Sequence, residues 1–416
     1  SLLSARLFLA PQLVGDSIYF LSNLSGHLSL YSMNYGGSVP EPLLPSTIAL
    51  QNPELIDGFS YRVFPNFGKI LVMIDNNGDE NYQPMFIPLD GGFPEPAFDN
   101  FFANHRVHLT LCDIERDMVY FSAERRDKPI SEAYRADLAK NKLTKLAESK
   151  WGAFPSAYNN DHTKLLLVDG YTVGDVVIYL LEGIKKSILY GKPLYKRKSG
   201  EIGPLNGLGS TVFTKSGRGV LATTSGFEDT FSVGYFPLDQ PGTMKPVSVK
   251  GLEHSGLGEL TRLEHLYGEH YALTYNIDGS SLVYEGKFDE DLLSIKVKHL
   301  VVGDLPLDAG ELEHLDYNKA ADVFTLSFST AVSLTQIYSI EKKKRDFIIQ
   351  HTNEKVLGIP EQHLSKGEDA SYTSFDGLRI SARLYLPSNA LGNEGPRPLV
   401  YYIHGGPQGQ ERPNFA

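Results

Sequence analysis

The residues with the clearest chemical potential lie near the end of the chain, at positions 404–407, where the sequence reads His-Gly-Gly-Pro. Acyl transfer places negative charge on a carbonyl oxygen, and backbone N–H groups that point at this oxygen stabilise the transition state. Glycine has no Cβ, so the backbone can turn sharply and approach a substrate closely. Pro407 has no N–H. The donor must therefore come from Gly405 or Gly406, and we favour Gly406.

The elements before this loop are suited to position it. Residues 399–403 (LVYYI) are continuously apolar, which predicts a strand in the middle of a covered sheet. Residues 372–386 predict a hairpin with its turn at Asp376-Gly377. A buried strand followed by His-Gly-Gly matches the oxyanion loop of α/β-hydrolases. The alternative is a Gly-Gly-Pro turn without function, which the preceding strand and hairpin disfavour.

The first 352 residues repeat at intervals of about fifty. Short β-rich runs begin near Ile18, Ile70, Met118, Leu165, Val220, Tyr271 and Val323. Seven units of about four strands predict a seven-bladed β-propeller. A pair of β-sandwiches is the alternative, but it does not explain the fifty-residue period. We expect residues 7–9 in the innermost strand of blade one and no strand exchange with the last blade. Blade four is the least regular, and residues 184–189 are helix-like.

The pattern changes after Thr352. Residues 353–370 are polar and contain Gly358, Pro360 and Gly367, which is typical of a linker. We therefore predict a mainly β protein with a propeller at 1–352, a linker at 353–370, and the first strands of an α/β-hydrolase domain at 371–416.

Three segments resemble the prolyl oligopeptidase family, in its acylaminoacyl-peptidase-like branch. Residues 404–410 (HGGPQGQ) are similar to the family's HGGP-x-x-Q segment, and residues 374–387 to its opening hydrolase hairpin. Residues 75–92 (DNNGDENYQPMFIPLDGG) resemble its GDE-N-x-Q hairpin. The resemblance implies a serine peptidase that hydrolyses short peptides, with the propeller as a gate. It also implies Ser, Asp and His in that order, all downstream of the oxyanion loop.

The sequence departs from the family in one decisive respect. No G-x-S-x-G occurs in it, so the catalytic triad is not in this chain. His404 precedes the oxyanion glycines and is not the triad base. We expect the chain to be incomplete at both ends and inactive alone. Two alternatives stay open: another α/β-hydrolase, such as an esterase, and a non-catalytic propeller binding module.

Composition limits the partners. The net charge of −11 argues against nucleic acid, and no run of 18 apolar residues predicts a membrane span. The one cysteine, Cys112, excludes a disulfide within the chain, is expected to be a small buried hydrophobe, and favours a reducing, cytoplasmic compartment. A peptide substrate is expected, and a homo-oligomer is left open.

No cofactor or metal is expected. The twelve His residues have no zinc-ligand spacing, and residues 75–80 place Gly78 wrongly for a calcium loop. The acidic pair Glu228-Asp229 is predicted to be a solvated turn, although related dipeptide-removing enzymes bind a substrate amine with acidic propeller residues. The basic run at 342–345 is likewise predicted to be a solvated hairpin loop.

Overall fold

The computed structural model describes residues 5–53, 58–203, 205–341, 343–393, 395–406 and 409–415. Its strands form seven antiparallel four-stranded units in chain order. Units one and two contain β1 (Phe8–Val14), β2 (Ser17–Ser22), β3 (Ser29–Asn34), β4 (Glu41–Pro42), β5 (Tyr61–Phe64), β6 (Lys69–Ile74), β7 (Gln83–Pro88) and β8 (Glu95–Pro96). Units three and four contain β9 (His105–Asp113), β10 (Met118–Arg125), β11 (Ser131–Asp137), β12 (Lys142–Ser149), β13 (Phe154–Tyr158), β14 (Lys164–Thr172), β15 (Asp175–Glu182) and β16 (Lys185–Tyr190).

Units five to seven follow the same plan. They contain β17 (Leu208–Phe213), β18 (Gly219–Thr224), β19 (Ser232–Pro237), β20 (Lys245–Lys250), β21 (Gly258–Tyr267), β22 (His270–Ile277), β23 (Ser280–Asp289), β24 (Ser294–Val302), β25 (Gly310–Asn318), β26 (Val323–Thr330), β27 (Ser333–Glu341) and β28 (Phe347–Gln350). The outer strands β20 and β24 also pair with each other in parallel, which joins units five and six into one eight-stranded sheet. This pairing gives both edges ladder partners.

Seven apolar clusters hold the units together, one between each pair of neighbours. The seventh cluster joins Phe8 and Phe20 of unit one to Ile337 of unit seven, and thereby closes a ring. One unit alone cannot bury both of its faces, so stacking around an axis satisfies all seven. The units are the blades of a seven-bladed β-propeller, as predicted from the period of about fifty residues.

The repeated runs in the sequence are the second strands of the blades. Each begins within a residue of the predicted position, as β2 does at Ser17 and β26 at Val323. These strands are buried on both faces; β18, for example, is buried throughout. A strand that is buried on both faces has no alternating polar residues and is a continuous apolar run. The period of about fifty residues can therefore be recognised in the sequence.

The ring closes without strand exchange, as predicted. Strands β1–β4 and β25–β28 each form a complete sheet from consecutive segments, and β1 includes Phe8 and Leu9. Hydrogen bonds that involve side chains connect blade one to blade seven. Asn318 donates to the Leu13 carbonyl at 2.9 Å, and the backbone N–H of Gly36 donates to His351 Nδ1 at 3.0 Å.

One element of blade four differs from its prediction. Residues 184–189 were expected to be helix-like, but Lys185–Tyr190 is strand β16, paired with β15. Gly183 adopts φ 60° in the turn, so the chain reverses and the next residues align in register with the buried strand β15. Pairing with a neighbouring strand here overrides the local pattern.

Short elements follow the propeller. Strands β29 (Glu368–Asp369), β30 (Tyr372–Thr373), β31 (Arg379–Ile380) and β32 (Arg383–Leu384) form two two-stranded sheets, β29 with β32 and β30 with β31. The described helices are 3₁₀ turns at Ala97–Asn100, Leu194–Lys196, Glu361–His363 and Asn389–Leu391. None of these helices is long and apolar enough to cross a membrane. The predicted domain limits stay a prediction, and β29 lies inside the segment assigned to the linker.

Candidate functional site

The predicted hairpin before the oxyanion loop forms around its Asp-Gly turn. Gly377 adopts φ 85°, a conformation that favours glycine. Its N–H donates to the Ser374 carbonyl at 3.0 Å, and the Ser374 N–H donates to the Leu378 carbonyl at 2.8 Å. The second arm is interrupted after Ile380, so the single strand expected at 378–386 is divided into β31 and β32.

The predicted buried strand at 399–403 is wrong for this structure. These five residues have no strand assignment, and their exposed fractions lie between 61% for Leu399 and 87% for Val400. A central strand requires hydrogen-bonding neighbours on both sides. No described strand pairs with this segment, so its backbone stays irregular and its apolar side chains face solvent.

Gly405 and Gly406, which the sequence predicts as the oxyanion glycines, are exposed to solvent. Gly406 adopts φ 153°, and open space surrounds the position of a Cβ on Gly405. His404 Nδ1 lies 2.6 Å from the Gly405 carbonyl, so the imidazole contacts the loop itself. The N–H groups of Gly405 and Gly406 have no hydrogen-bond acceptor among the described residues. Pro407 and Gln408, which belong to the predicted motif, lie outside the described residues.

One face of the propeller carries the segments that follow it. The four strands of each blade are antiparallel, so successive loops alternate between the two ends of the blade. The loop between the second and third strands therefore lies at the same end as the last residue of the fourth strand. These loops and the chain leaving β28 therefore share one face, which we call the linker face. Arg379 forms an ion pair with Asp278 of the β22–β23 loop, and Arg412 donates to the Gly279 carbonyl at 2.9 Å. The segments around the oxyanion loop thus contact the linker face at blade six.

The GDE-N-x-Q segment joins blade two to blade three on this face. Gln83 Nε2 donates to the His105 carbonyl at 2.6 Å, and Glu80 lies 3.7 Å from Arg106. Asp79 accepts the N–H of Asn81 at 3.0 Å, and this backbone hydrogen bond lowers the pKa of Asp79. The resemblance in this segment therefore corresponds to structural contacts between blades. Among the described residues, no group of His, Cys, Asp and Glu could hold a metal ion.

The linker face also contains a cleft of about 500 Å³ in blade three. Its lining includes Phe101, Arg125, Arg126, Glu132 and Tyr134. Burial opposes ionisation of Glu132, but hydrogen bonds from Lys145, Tyr134 and His105 outweigh it and lower the pKa to about 2. Glu132 is therefore a carboxylate at neutral pH.

Sequence reasoning missed this cleft. The available signal was the charged run Arg125-Arg126-Asp127, in which Arg125 ends β10 and the exposed Arg126 and Asp127 begin the following loop. By contrast, Glu228 and Asp229 are exposed in the β18–β19 loop, as predicted, and they share the linker face.

The basic run at 342–345 is only partly solvated. Lys343 and Lys344 are exposed, and Lys342 lies outside the described residues. Arg345 is 5% exposed, which contradicts the prediction of a solvated loop for this residue. Its Nε atom donates to Glu285 at 2.8 Å. A buried partner on another blade attracts the guanidinium inward, and the local sequence does not reveal this partner.

Cys112 is a free cysteine that is half-buried, whereas the sequence predicted a buried residue. It lies in β9 and packs against the apolar cluster between blades two and three. Burial raises the pKa of the Cys112 thiol to about 12. The thiolate is the nucleophilic form of cysteine, and the raised pKa leaves Cys112 mostly as the thiol at neutral pH.

Comparisons with known proteins identify the fold. No family model and no curated protein matches the chain. Among solved structures, a puromycin hydrolase is similar with a TM-score of 0.64 and 12% identity, over 92% of this chain and 59% of that protein. A puromycin-hydrolyzing peptidase of Mycobacterium tuberculosis is similar with a TM-score of 0.63 and 11% identity, over 91% and 57%. Prolyl oligopeptidase B of Galerina marginata follows with a TM-score of 0.60 and 11% identity, over 91% and 55%.

The chain spans less than two thirds of the length of each of these structures. The likeness extends beyond the propeller, because β28 ends at Gln350 and the match covers 92% of the chain. It supports the fold that the resemblance of residues 75–92 and 404–410 implies. Over about nine-tenths of its length, this chain has the fold of prolyl oligopeptidase-type peptidases.

Proposed function

We propose that this chain is the gating propeller and the oxyanion-loop segment of a serine peptidase that hydrolyses short peptides. The observation that carries the proposal is the succession of a closed seven-bladed propeller, an Asp-Gly hairpin and a His-Gly-Gly loop in one chain. The fold likeness to peptidases over 92% of the chain supports it. The proposed division into propeller (1–352), linker (353–370) and hydrolase segment (371–416) follows from the same succession.

In this proposal the backbone N–H of Gly406 stabilises the oxyanion, with Gly405 as the alternative donor. The N–H groups of both glycines have no acceptor among the described residues, so they are available to a substrate oxygen. The nucleophile, its base and the orienting carboxylate are supplied by a part of the protein that this sequence does not contain, since it has no G-x-S-x-G. This chain alone is therefore inactive.

The propeller restricts access to the catalytic groups. The linker face contacts the segments around the oxyanion loop through Asp278 and Gly279. A catalytic domain attached there is covered by the propeller, so folded proteins are excluded and short peptides are admitted. The proposal includes a reducing cytoplasmic compartment, which the presence of a single cysteine favours.

The test uses the full-length protein and this 416-residue chain in parallel. A serine-directed phosphonate probe should label the full-length protein stoichiometrically and leave the 416-residue chain unlabelled. The full-length protein should cleave short peptides and leave the same sequence uncut inside a folded protein. Labelling of the 416-residue chain would contradict the proposal.

Two outcomes would favour the alternatives. Hydrolysis of simple esters without cleavage of any peptide would indicate an esterase on the same fold. A full-length protein that is folded, unlabelled and inactive would indicate a non-catalytic binding propeller.

A further inference from the structure

Arg412 makes an unusually complete set of contacts for a residue outside the propeller. Its Nε donates to the Gly279 carbonyl at 2.9 Å and its Nη2 donates to Ser281 Oγ at 2.7 Å. Its Nη1 lies 2.7 Å from Glu311 Oε1 in an ion pair whose side chains are 21% and 16% exposed. The guanidinium thus uses all three of its nitrogen atoms, and charge-assisted contacts of this kind are stronger than neutral ones.

The three partners of Arg412 belong to two blades. Gly279 lies in the β22–β23 turn and Ser281 at the start of β23, both in blade six, and Glu311 lies at the start of β25 in blade seven. Ser281 Oγ also accepts the N–H of Leu312 at 2.9 Å, which links the two blades directly. The guanidinium is therefore held at the junction between blades six and seven by groups that are themselves fixed.

The neighbours of Arg412 strengthen this attachment. Gln410 Oε1 accepts a hydrogen bond from Asn276 Nδ2 at 2.8 Å. Pro413 is buried, and a Cβ on Gly279 would lie 3.3 Å from its ring. Gly279 adopts φ 89°, so a side chain there would strain the turn and displace Pro413. Residues 410–413 thus form a clamp on the linker face.

The clamp limits where the oxyanion loop can lie. Arg412 follows Gly406 by six positions, and six extended residues span at most about 20 Å. The described segment before the loop, residues 399–403, is exposed and unpaired in any sheet. Among the described residues on either side of the loop, the clamp is therefore the nearest segment in sequence that is attached to a folded core.

We propose that Arg412 is a positioning residue that couples the oxyanion loop to the propeller. The inference rests on the proposed function. Oxyanion catalysis needs donors held close to their productive geometry, and a misplacement of about 1 Å can cost about 10²-fold in rate. Because the position of the loop depends on blades six and seven, the loop can donate its hydrogen bond to the oxyanion only when the propeller covers the catalytic domain. Movement of the propeller away from the catalytic domain withdraws the donor.

The test compares Arg412→Gln with Arg397→Gln in the full-length protein. Arg397 is a matched control because its guanidinium donates to the Asn393 carbonyl within its own exposed loop. We expect Arg412→Gln to lower kcat on a short peptide by about 10- to 100-fold, with KM changed by less than about threefold. Arg412→Lys keeps the positive charge but loses the planar guanidinium that donates to several partners at once. Its kcat should therefore lie between those of Arg412→Gln and the wild type.

A second arm needs no activity. In the 416-residue chain, amide hydrogen exchange of residues 409–415 should accelerate in Arg412→Gln and in Glu311→Gln, while the buried strand β22 keeps its protection. In the full-length protein, the double variant Arg412→Gln, Glu311→Gln should lose little more kcat than the worse single variant, because both substitutions break the same Arg412–Glu311 ion pair.

The outcomes separate the two proposals. An active wild type, with Arg412→Gln within twofold of Arg397→Gln in kcat, would overturn the positioning role. A full-length wild type without probe labelling or peptidase activity would overturn the proposed function, and with it the catalytic role of Arg412. Unchanged exchange at residues 409–415 would show that the clamp does not hold this segment, and it would overturn the inference whatever the activity.

Discussion

Replacing Arg345 by methionine tests a buried ion cluster that joins blades six and seven. Arg345 Nε donates to Glu285 Oε2 at 2.8 Å, and its Nη2 and Nη1 donate to Asp322 Oδ1 at 2.7 Å and to the Asp322 carbonyl at 3.0 Å. The guanidinium also lies 4.8 Å from the centre of the Phe324 ring. Methionine keeps an apolar stem against this ring and removes every donor.

The expected loss follows from the carboxylate that is left behind. The Glu285 side chain is 2% exposed, and removal of one partner of a buried ion pair costs about 3–5 kcal/mol. Glu285 Oε1 keeps its contacts with the Tyr267 hydroxyl and His270 Nδ1, both at 3.0 Å. These contacts reduce the penalty, so we expect the free energy of unfolding to fall by about 3 kcal/mol, the lower end of that range.

Urea denaturation at pH 7, followed by far-UV circular dichroism, measures this loss. Lys344→Met is the matched control, because Lys344 belongs to the same basic run and is exposed. A surface substitution of this kind should change the free energy of unfolding by less than about 0.5 kcal/mol. Equal stabilities of the two variants would refute the conclusion that the buried cluster stabilises the propeller.

Three further predictions concern other parts of the chain. In the full-length protein, Gly406→Pro removes the proposed donor and should lower kcat by about 10²–10³-fold; wild-type kcat would make Gly405 the donor. Limited proteolysis should cut at 353–370 or 399–403 before the propeller, and equal resistance of these segments would contradict their exposure. Burial lowers the pKa of His351 from 6.5 to about 4, so the unfolded chain binds more protons in this interval and stability falls as the pH drops through it. His351→Gln should reduce this loss between pH 7 and pH 5 in urea denaturation, and an unchanged pH dependence would exclude His351 as its source.

The propeller could be predicted because its structure is local in sequence. Each four-stranded sheet is built from consecutive strands, so apolar runs and turns recur with the period of the blade. The contacts that close the ring could not be predicted. Tyr35 donates to Glu341, and the Gly36 N–H donates to His351, across more than 300 positions. Nothing in either local sequence identifies the other.

The candidate site could be proposed from the sequence where a backbone motif defines it, and residues held by long-range contacts were missed. The glycines at 405 and 406 are recognisable because the chemistry needs backbone donors and no side chain. In the sequence, Arg345 and Arg412 look like ordinary surface residues. The carboxylate partner of Arg345 is 60 positions away, and that of Arg412 is Glu311 in blade seven. A charged residue becomes structural only when the fold presents a buried partner.

Two apolar runs show why the propeller and the segment that follows it differ in structure. Strand β26 is buried because β25 and β27 precede and follow it directly and pair with it antiparallel through short turns. Residues 399–403 are as apolar but remain exposed. A strand of a parallel sheet takes its neighbours through crossovers of a dozen or more residues, so its order depends on distant segments. In the described chain, the proposed oxyanion loop is therefore attached through the propeller that holds Arg412, and not through residues 399–403.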